Sequence, residues 1–454
     1  MRTIGHLAAL AALCATTAAG AADGGFGKTF RYDDDFSALC ASGARTHGYD
    51  AAKCLPFGRA SYLSLGADLH LREETADPAH VVGGPDARDA YLLQRILAHA
   101  DLHLGEHARV FVQLGNHRAR TRNGAPKATD RDGTDLGQAF VDLSMRAGDG
   151  RLTWRLGRQE MNFGAGRLVS VRNTANARRS FDGANAILAT GAWDVRAFAA
   201  RPVLTRTGAW DDIGDQGQAL WGVYARTTHA PALELYYLGF RNRQARFAGL
   251  MGEEQRHTLG ARWTATRGAW DADLEGSGQI GRFREADIRA FALYGQGGYT
   301  WRGLPGSPRL GLRADAISGD RHPGAGALGT FNPLYATGTY FGQNGLFAAA
   351  NLIDLGPSLR VTSRRELALE LSHALLWRYS TRDAFYTPAL TPLVPADASP
   401  DRRIGTQTQL AGSWRVNRNA LIETALVHFS PAAFARAGHA RSQNFAMASL
   451  DLRY

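Results

Sequence analysis

The chain has 454 residues and carries a net charge of +10 at pH 7. A soluble chain of this length would fold as two or three domains, although a large closed β-barrel is an exception. No run of 18 or more apolar residues follows the N-terminal region, which excludes a transmembrane helix. The basic balance favours an anionic partner.

Residues 1–21 have the features of a cleaved secretory signal peptide. Arg2 supplies the charged start, an apolar run follows, and Ala19-Gly20-Ala21 resembles a cleavage site. Removal of this segment also removes Arg2 and lowers the net charge from +10 to about +9. The sequence therefore predicts export to the periplasm or the outer membrane of a Gram-negative cell.

Residues 22–60 are predicted to form an N-terminal periplasmic segment. It contains Cys40 and Cys54, which in an oxidising compartment most simply form one disulfide. A metal site is disfavoured because no nearby His or Cys completes a set of four ligands. Two interpretations stay open for this segment: a strap that closes the lower lumen of a barrel, or a contact for a periplasmic export partner.

From residue 61 onward the chain alternates between apolar and polar residues. In YLSLGADLHLR, which starts at Tyr62, the leucines share one face and Ser64, Asp68, His70 and Arg72 share the other. Period-two alternation over about ten residues is the length of a tilted strand that crosses a bilayer. The same pattern recurs in ILAHADLHL, QAFVDLSMR, RELALELSHALLWR and the C-terminal NFAMASLDLRY.

The lengths of the connections alternate as well. Short turns such as 105–107, 147–150, 190–192 and 417–419 separate paired strands, whereas segments such as 73–91, 119–135, 162–179, 319–351 and 380–401 are long. Short turns at one end and long loops at the other are typical of outer-membrane barrels. Residues 61–454 are therefore predicted to form an all-β transmembrane antiparallel barrel of about 18 strands, with short periplasmic turns and long external loops.

Several stretches resemble the alginate export family of outer-membrane proteins. They are YLLQRILAHADLHLGEHARVFVQL, RLGRQEMNFGAGRLVSVRNTANARRSFDGA, ALWGVY, ELYYLGFRN, GTFNPLYATGTYFG and NLIDLGPSL. The resemblance runs from about Tyr62 to the C-terminus and keeps the order of the motifs. It implies that residues 61–454 are an alginate export domain, a monomeric eighteen-stranded barrel with an arginine-rich lumen through which an anionic polyuronate leaves the periplasm.

Arginines suit the passage of an anion because the planar guanidinium can pair with a carboxylate through two hydrogen bonds. Strand parity and the resembling motifs select the candidates for the substrate path. They are Arg155, Arg158, Arg178, Arg179, Asp182, Arg72, Arg95, Arg313 and Arg378. Arg158 has the apolar parity of its strand, which predicts a bulge or a position at the rim. In the alternative interpretation, these charges pair across the barrel wall and only fill the lumen.

The predicted function is an outer-membrane channel for an anionic polysaccharide, with a general anion-selective porin as the alternative. A barrel enzyme is disfavoured because no HExxH or GxSxG motif occurs, and His99 and His103 stand about 13 Å apart in a strand. Loop 329–333, with Tyr340 and Phe341, is predicted to fold inward. No metal, cofactor or nucleic-acid partner is expected; the expected partners are membrane lipid and the transported anion.

Overall fold

Eighteen long strands form a closed antiparallel barrel in the computed structural model, which describes residues 28–40, 48–58, 60–84, 87–120, 129–247, 250–324, 326–363 and 366–454. The barrel strands are β1 (Tyr62–Asp77), β2 (Asp89–Leu104), β3 (Ala108–Arg120), β4 (Asp132–Ala147), β5 (Gly150–Gln159), β6 (Phe181–Ala189), β7 (Trp193–Leu204), β8 (Gln218–Thr227), β9 (Ala232–Phe247), β10 (Leu250–Arg267), β11 (Trp270–Phe283), β12 (Ala286–Thr300), β13 (Arg309–Ile317), β14 (Leu352–Thr362), β15 (Leu367–Trp377), β16 (Arg403–Asn417), β17 (Ala420–Pro431) and β18 (Gln443–Arg453). The predicted fold class and strand number are confirmed.

The barrel closes where β1 pairs with β18, in a register that runs from Asp68 opposite Arg453 to Asp77 opposite Asn444. The backbone of Tyr454, the last residue, continues this ladder through two hydrogen bonds with Ala67, at 2.8 and 3.0 Å. Closure leaves no exposed sheet edge, and a strand that crosses lipid requires such pairing because lipid offers no hydrogen-bond partners.

The remaining elements are short and lie outside the main ladder or at its ends. The short strands are Leu55–Pro56, Ile213–Gly214, Ala327–Leu328, Phe385–Tyr386 and Pro392–Val394. The 3₁₀ turns are Arg31–Asp33, Ser37–Cys40, Gly48–Ala52 and Ala396–Ala398, and the one α-helix among the described residues is Ala433–Ala437. Among the described residues, no helix has the length and apolar composition that a membrane crossing requires.

The two faces of each strand differ in exposure in the sense that the alternation predicts. On β1, Ser64, His70 and Arg72 are buried whereas Leu65 is exposed, and on β2 Asp101 is buried whereas Ile96 is exposed. The buried polar face therefore points into the barrel and the exposed apolar face points outward, toward lipid.

The lengths of the loops separate the two ends of the barrel. Turns such as 105–107, 148–149 and 418–419 connect strands at the end that holds both termini, and long segments such as 160–180, 318–351 and 378–402 connect them at the other. Two of the long segments fold into the lumen, where Val169 and Phe331 pack with Phe181 and Leu220 of the wall in the largest apolar cluster. The apolar core of this barrel thus lies inside it.

The predicted signal peptide, residues 1–21, lies outside the described residues. Of the predicted segment 22–60, residues 28–40, 48–58 and 60 are described. Cys40 and Cys54 form a disulfide with their Cα atoms 5.2 Å apart, and Cys54 packs against Phe36 and Leu39.

Candidate functional site: the lumen and its cavities

Three segments occupy the lumen. We name them the N-terminal segment (residues 28–40), the arginine loop (residues 160–180, between β5 and β6) and the aromatic loop (residues 318–351, between β13 and β14). The inward course of the aromatic loop agrees with the prediction for residues 329–333 and their neighbours.

The arginine loop and the aromatic loop pair with each other inside the barrel. The Ser170 N–H donates to the carbonyl of Tyr335 at 3.0 Å, the Tyr335 N–H donates to Leu168 at 2.8 Å, and the Thr337 N–H donates to Gly166 at 2.9 Å. These bonds satisfy backbone groups that would otherwise be buried without partners. The two loops therefore form one inner layer against the wall.

Arg167 of the arginine loop connects this layer to the far wall of the barrel. Its Nη1 lies 2.7 Å from Oε2 of Glu275 and 3.2 Å from Oδ1 of Asp273, both on β11. Its guanidinium also faces the rings of Tyr294 and Tyr340, 5.1 and 5.2 Å from their centroids. The side chain is 1% exposed, so these contacts hold a desolvated charge in place.

Two neighbouring cavities share Arg167, Tyr340 and Phe341 in their linings, and these residues lie at the boundary between them. The inner cavity has a volume of about 560 Å³ and reaches toward the short-turn end, near Asp271 and Arg309. The outer cavity has a volume of about 810 Å³ and lies toward the long-loop end, near Arg246. The two cavities lie in series along the half of the barrel formed by β8 to β16.

Arginine predominates among the charged residues of both linings. The outer cavity is lined by Arg167, Arg172, Arg179 and Arg246 against a single acid, Glu254. The inner cavity is lined by Arg167, Arg309, Arg313 and Arg360 against Asp271 and Glu370. Since a low-dielectric wall strengthens the field of such charges, each lining presents an excess of positive charge to its cavity.

Some of these arginines are neutralised by acids and others are not. Arg313 binds Asp354 with its Nη2 3.2 Å from Oδ1, and Arg309 binds Asp271 with its Nε 2.7 Å from Oδ2. Arg172 and Arg179 donate instead to backbone carbonyls, those of Ala177 and Tyr335 respectively. These two arginines and Arg360 form no ion pair with any acid of the described residues.

The N-terminal segment packs against the wall in the other half of the lumen. The ring of Tyr32 packs between Phe30 and the wall residues Phe111 and Phe140, with centroids 4.7 to 5.8 Å apart. Its hydroxyl donates to the carbonyl of Glu160 at 3.1 Å, which joins the segment to the arginine loop.

Arg155 of β5 stabilises the contact between Tyr32 and the barrel wall. Its guanidinium lies 4.1 Å from the ring centroid of Tyr32 and 4.0 Å from that of Phe140, and it donates twice to Asp142 at 2.8 Å. Next to Tyr32, burial raises the pKa of Asp33, while Arg196 and Arg155 act in the opposite direction. A cavity of about 760 Å³ at the short-turn end is bordered by both Arg155 and this segment.

The predicted site residues fall into two groups. Arg155, Arg179 and Arg313 border cavities. Four further arginines line none of these three cavities and are held by protein groups: Arg72 by Glu74, Arg95 by carbonyls of residues 173, 175 and 176, Arg158 by Asp182, and Arg178 by Glu160 and the carbonyl of Thr29. The parity of Arg158 is that of the outward face, and it lies near the long-loop end of β5, so the predicted rim position agrees with the structure.

Arg378 has a different environment from the lumen expected of it. It follows the last residue of β15, is fully buried, and donates to the carbonyls of Thr381, Asp383, Ala396, Ser399 and Asp401. Its guanidinium also lies 3.6 Å from the ring centroid of Phe434. This placement indicates that Arg378 organises the long loop 378–402.

Sequence reasoning did not select Arg167 or Arg309 as site residues, although Arg167 lies in the same arginine-rich stretch as Arg178 and Arg179. In a loop, side chains do not alternate between two faces, so the sequence does not indicate which of them point into the lumen. The missing signal for Arg167 is its partner, Glu275, which is 108 positions away in the chain.

Comparisons with known proteins agree with this architecture. Residues 61–449 match the model of the alginate export family. No curated protein matches the chain. Among solved structures, OccAB1 of Acinetobacter baumannii superposes with a TM-score of 0.57 at 11% identity, covering 89% of this chain and 99% of its own.

Two Pseudomonas aeruginosa structures are similar to the same extent. OccD3 (OpdP) gives a TM-score of 0.56 at 11% identity, covering 86% of this chain and 91% of its own. OccK7 (OpdD) gives 0.56 at 12% identity, covering 86% and 98%. At such identities the likeness shows the porin-like barrel fold alone; together with the family match it indicates an outer-membrane channel.

Proposed function

Because this chain belongs to the alginate export family, we propose that it is an outer-membrane channel whose substrate is an anionic polyuronate that leaves the periplasm. The observation that supports this most directly is the charge of the two cavities in series. Four arginines line each of them, against one acid in the outer cavity and two in the inner one. Repeated carboxylates of a polyuronate would meet guanidinium groups at each step of this path.

The pairing pattern suits passage rather than tight capture. A channel must attract its solute and also release it, which a series of moderate sites achieves better than one strong site. Arg309 and Arg313 are partly neutralised by Asp271 and Asp354, whereas Arg172, Arg179 and Arg360 have no acid partner among the described residues. The path therefore contains both neutralised and unneutralised guanidinium groups.

The test is single-channel recording in planar bilayers under a KCl gradient. The reversal potential is expected to report anion selectivity, and polyuronate oligomers are expected to reduce the current, whereas neutral oligosaccharides of equal length leave it unchanged. Arg360→Gln should reduce both effects. Arg289→Gln removes an arginine at the long-loop end whose side chain is 78% exposed, and serves as the matched control.

Cation selectivity in the wild-type protein would contradict an anion channel altogether. Anion selectivity without a response to polyuronate would contradict polyuronate export but would still support an anion-selective channel.

A general anion-selective porin is the second candidate, and one observation favours it. The two cavities, of about 560 and 810 Å³, meet at Arg167 and Tyr340, and each has the size of a small-molecule site, roughly 300–1,000 Å³. A polymer would need the arginine and aromatic loops to move apart, whereas a small carboxylate would need less displacement. Transport of a labelled monouronate into liposomes, with no transport of the polymer, would support the porin.

A further inference from the structure

Four aspartates meet at the long-loop end of the barrel, away from the cavities. Asp132 and Asp135 belong to β4, and Asp211 and Asp212 belong to the loop 205–217 between β7 and β8. One carboxylate oxygen from each of the four lies within 4.8 Å of the others. Segments more than 70 residues apart in sequence thus converge on one point.

The backbone of loop 205–217 is placed over β4 by its own hydrogen bonds. The Gly133 N–H donates to the carbonyl of Gly208 at 2.6 Å, and the Trp210 N–H donates to Thr134 at 3.2 Å. Asp135 accepts the N–H groups of Asp211 and Asp212 at 2.8 and 3.1 Å. These contacts hold the four carboxylates in fixed positions.

Few neighbouring cations balance the negative charge of the cluster. None of the four carboxylates forms an ion pair with a described Lys or Arg, and His117, with Nδ1 3.1 Å from Oδ2 of Asp132, is the one basic partner in the described ranges. Arg158, the nearby guanidinium, pairs with Asp182 and reaches only the backbone carbonyl of Asp212. Four acids with so little counter-charge would repel one another.

Two oxygen atoms point to a missing ligand. Asp132 is 3% exposed, and its Oδ1 is buried without any hydrogen-bond partner. Oδ1 of Asp211 is also buried without a partner. A buried carboxylate oxygen with no donor is costly unless a cation or a proton satisfies it.

We propose that Asp132, Asp135, Asp211 and Asp212 bind a divalent cation, Ca²⁺, which joins loop 205–217 to β4. Ca²⁺ accepts carboxylate oxygens in flexible, irregular sets, whereas Mg²⁺ requires near-ideal octahedral geometry and retains its waters. Carboxylates supplied by two separate segments fit the first description better. The bound ion would restrain the loop at the mouth of the barrel.

Terbium luminescence tests the site directly, because Tb³⁺ replaces Ca²⁺ and is excited by a neighbouring indole. Trp210 is adjacent in sequence to Asp211 and is exposed. Purified protein in detergent is expected to give sensitised Tb³⁺ emission that Ca²⁺ displaces and Mg²⁺ displaces only weakly. Trp210→Phe should abolish most of the emission.

The double variant Asp132→Asn with Asp211→Asn should weaken Tb³⁺ and Ca²⁺ binding by at least the roughly 10-fold that loss of even an outer partner costs a metal site. Asp287→Asn is the matched control, since Asp287 lies near another turn at the same end and is 54% exposed. Retained affinity in the double variant, or equal displacement by Mg²⁺, would overturn the proposal.

Limited trypsin digestion supplies a second readout that does not depend on Tb³⁺. Arg206 is an exposed site in the loop, and its N–H donates to Oδ1 of Asp212 at 2.7 Å. Ca²⁺ should slow cleavage after Arg206 in the wild type and in Trp210→Phe, but not in the double aspartate variant. If the rate of cleavage in the folded wild-type protein did not depend on Ca²⁺, the proposal that the ion restrains loop 205–217 would be refuted.

Discussion

Arg167 of the arginine loop binds Glu275 on β11, with 2.7 Å between Nη1 and Oε2. This pair joins the arginine loop to the barrel wall at the boundary of the two cavities. Glu275 also accepts a hydrogen bond from the hydroxyl of Tyr236 at 2.8 Å. The anchor therefore belongs to a buried network, and removal of the Arg167 charge leaves Glu275 without its cationic partner, whereas Asp273 stays paired with Arg262.

We expect Arg167→Gln to free the arginine loop and to join the two cavities. Removal of one partner of a buried ion pair costs about 3–5 kcal/mol, and in this variant the cost weakens the binding of the arginine loop to the wall. Because a loosened loop obstructs the lumen less, the channel should conduct more current with larger fluctuations. Single-channel conductance is the measurement. Arg246→Gln, a cavity arginine with no ion pair to a described acid, is the control; equal conductance in both variants would contradict an anchoring role for Arg167.

Tyr32→Ala should release the N-terminal segment from the barrel. The ring packs against Phe30, Phe111 and Phe140, and a buried aromatic replaced by Ala typically loses about 3–5 kcal/mol. Conductance should rise and the segment should become open to protease. Tyr299→Ala is the control, because Tyr299 packs on the exposed Trp270. This variant should leave the conductance unchanged.

The sequence predicts the barrel well because strand alternation is a local signal with an exact period of two. The polar parity of Ser64, His70 and Arg72 identifies the inner face from neighbours in the chain alone. Loops carry no such period, so the inward course of the arginine loop, and with it the site of Arg167, depends on contacts with distant strands that no local pattern encodes.

Parity also places a side chain on a face without revealing its partner. Arg155 and Arg179 were both expected along the substrate path, yet Arg155 is bound by Asp142 and two rings whereas Arg179 donates to carbonyls beside a cavity. Arg378 lies one residue past the end of β15, where the parity of the strand no longer applies.

Reduction of the disulfide between Cys40 and Cys54 should loosen the N-terminal segment without unfolding the barrel. The bridge closes a loop with a sequence separation of 14, and a loop of that size contributes about 3 kcal/mol in the chain-entropy account. Protease should remove the segment faster in reductant, with higher conductance afterwards. A Cys40→Ser, Cys54→Ser variant should behave like the reduced wild type and should not respond to reductant. If reductant still raised the conductance of this variant, the disulfide would not be the cause of the effect.

Arg155→Glu and Arg179→Glu should separate the two roles of lumen arginines. Arg179→Glu changes the lining of the outer cavity from four arginines and one acid to three arginines and two acids, so the reversal potential should shift toward cation selectivity. Arg155→Glu places a carboxylate beside Asp142 and removes the cation between Tyr32 and Phe140. Its main effect should therefore be release of the N-terminal segment and a higher conductance.

Reversal potential and conductance must be measured for both variants, because each variant is expected to affect one of them more strongly. Arg179→Lys keeps the charge at the outer cavity but cannot reproduce the guanidinium geometry, and its selectivity should stay close to that of the wild type. If Arg179→Glu left the reversal potential unchanged, Arg179 would not face the path of the anion. If Arg155→Glu shifted the reversal potential as strongly as Arg179→Glu, the half of the lumen that the N-terminal segment fills would also conduct.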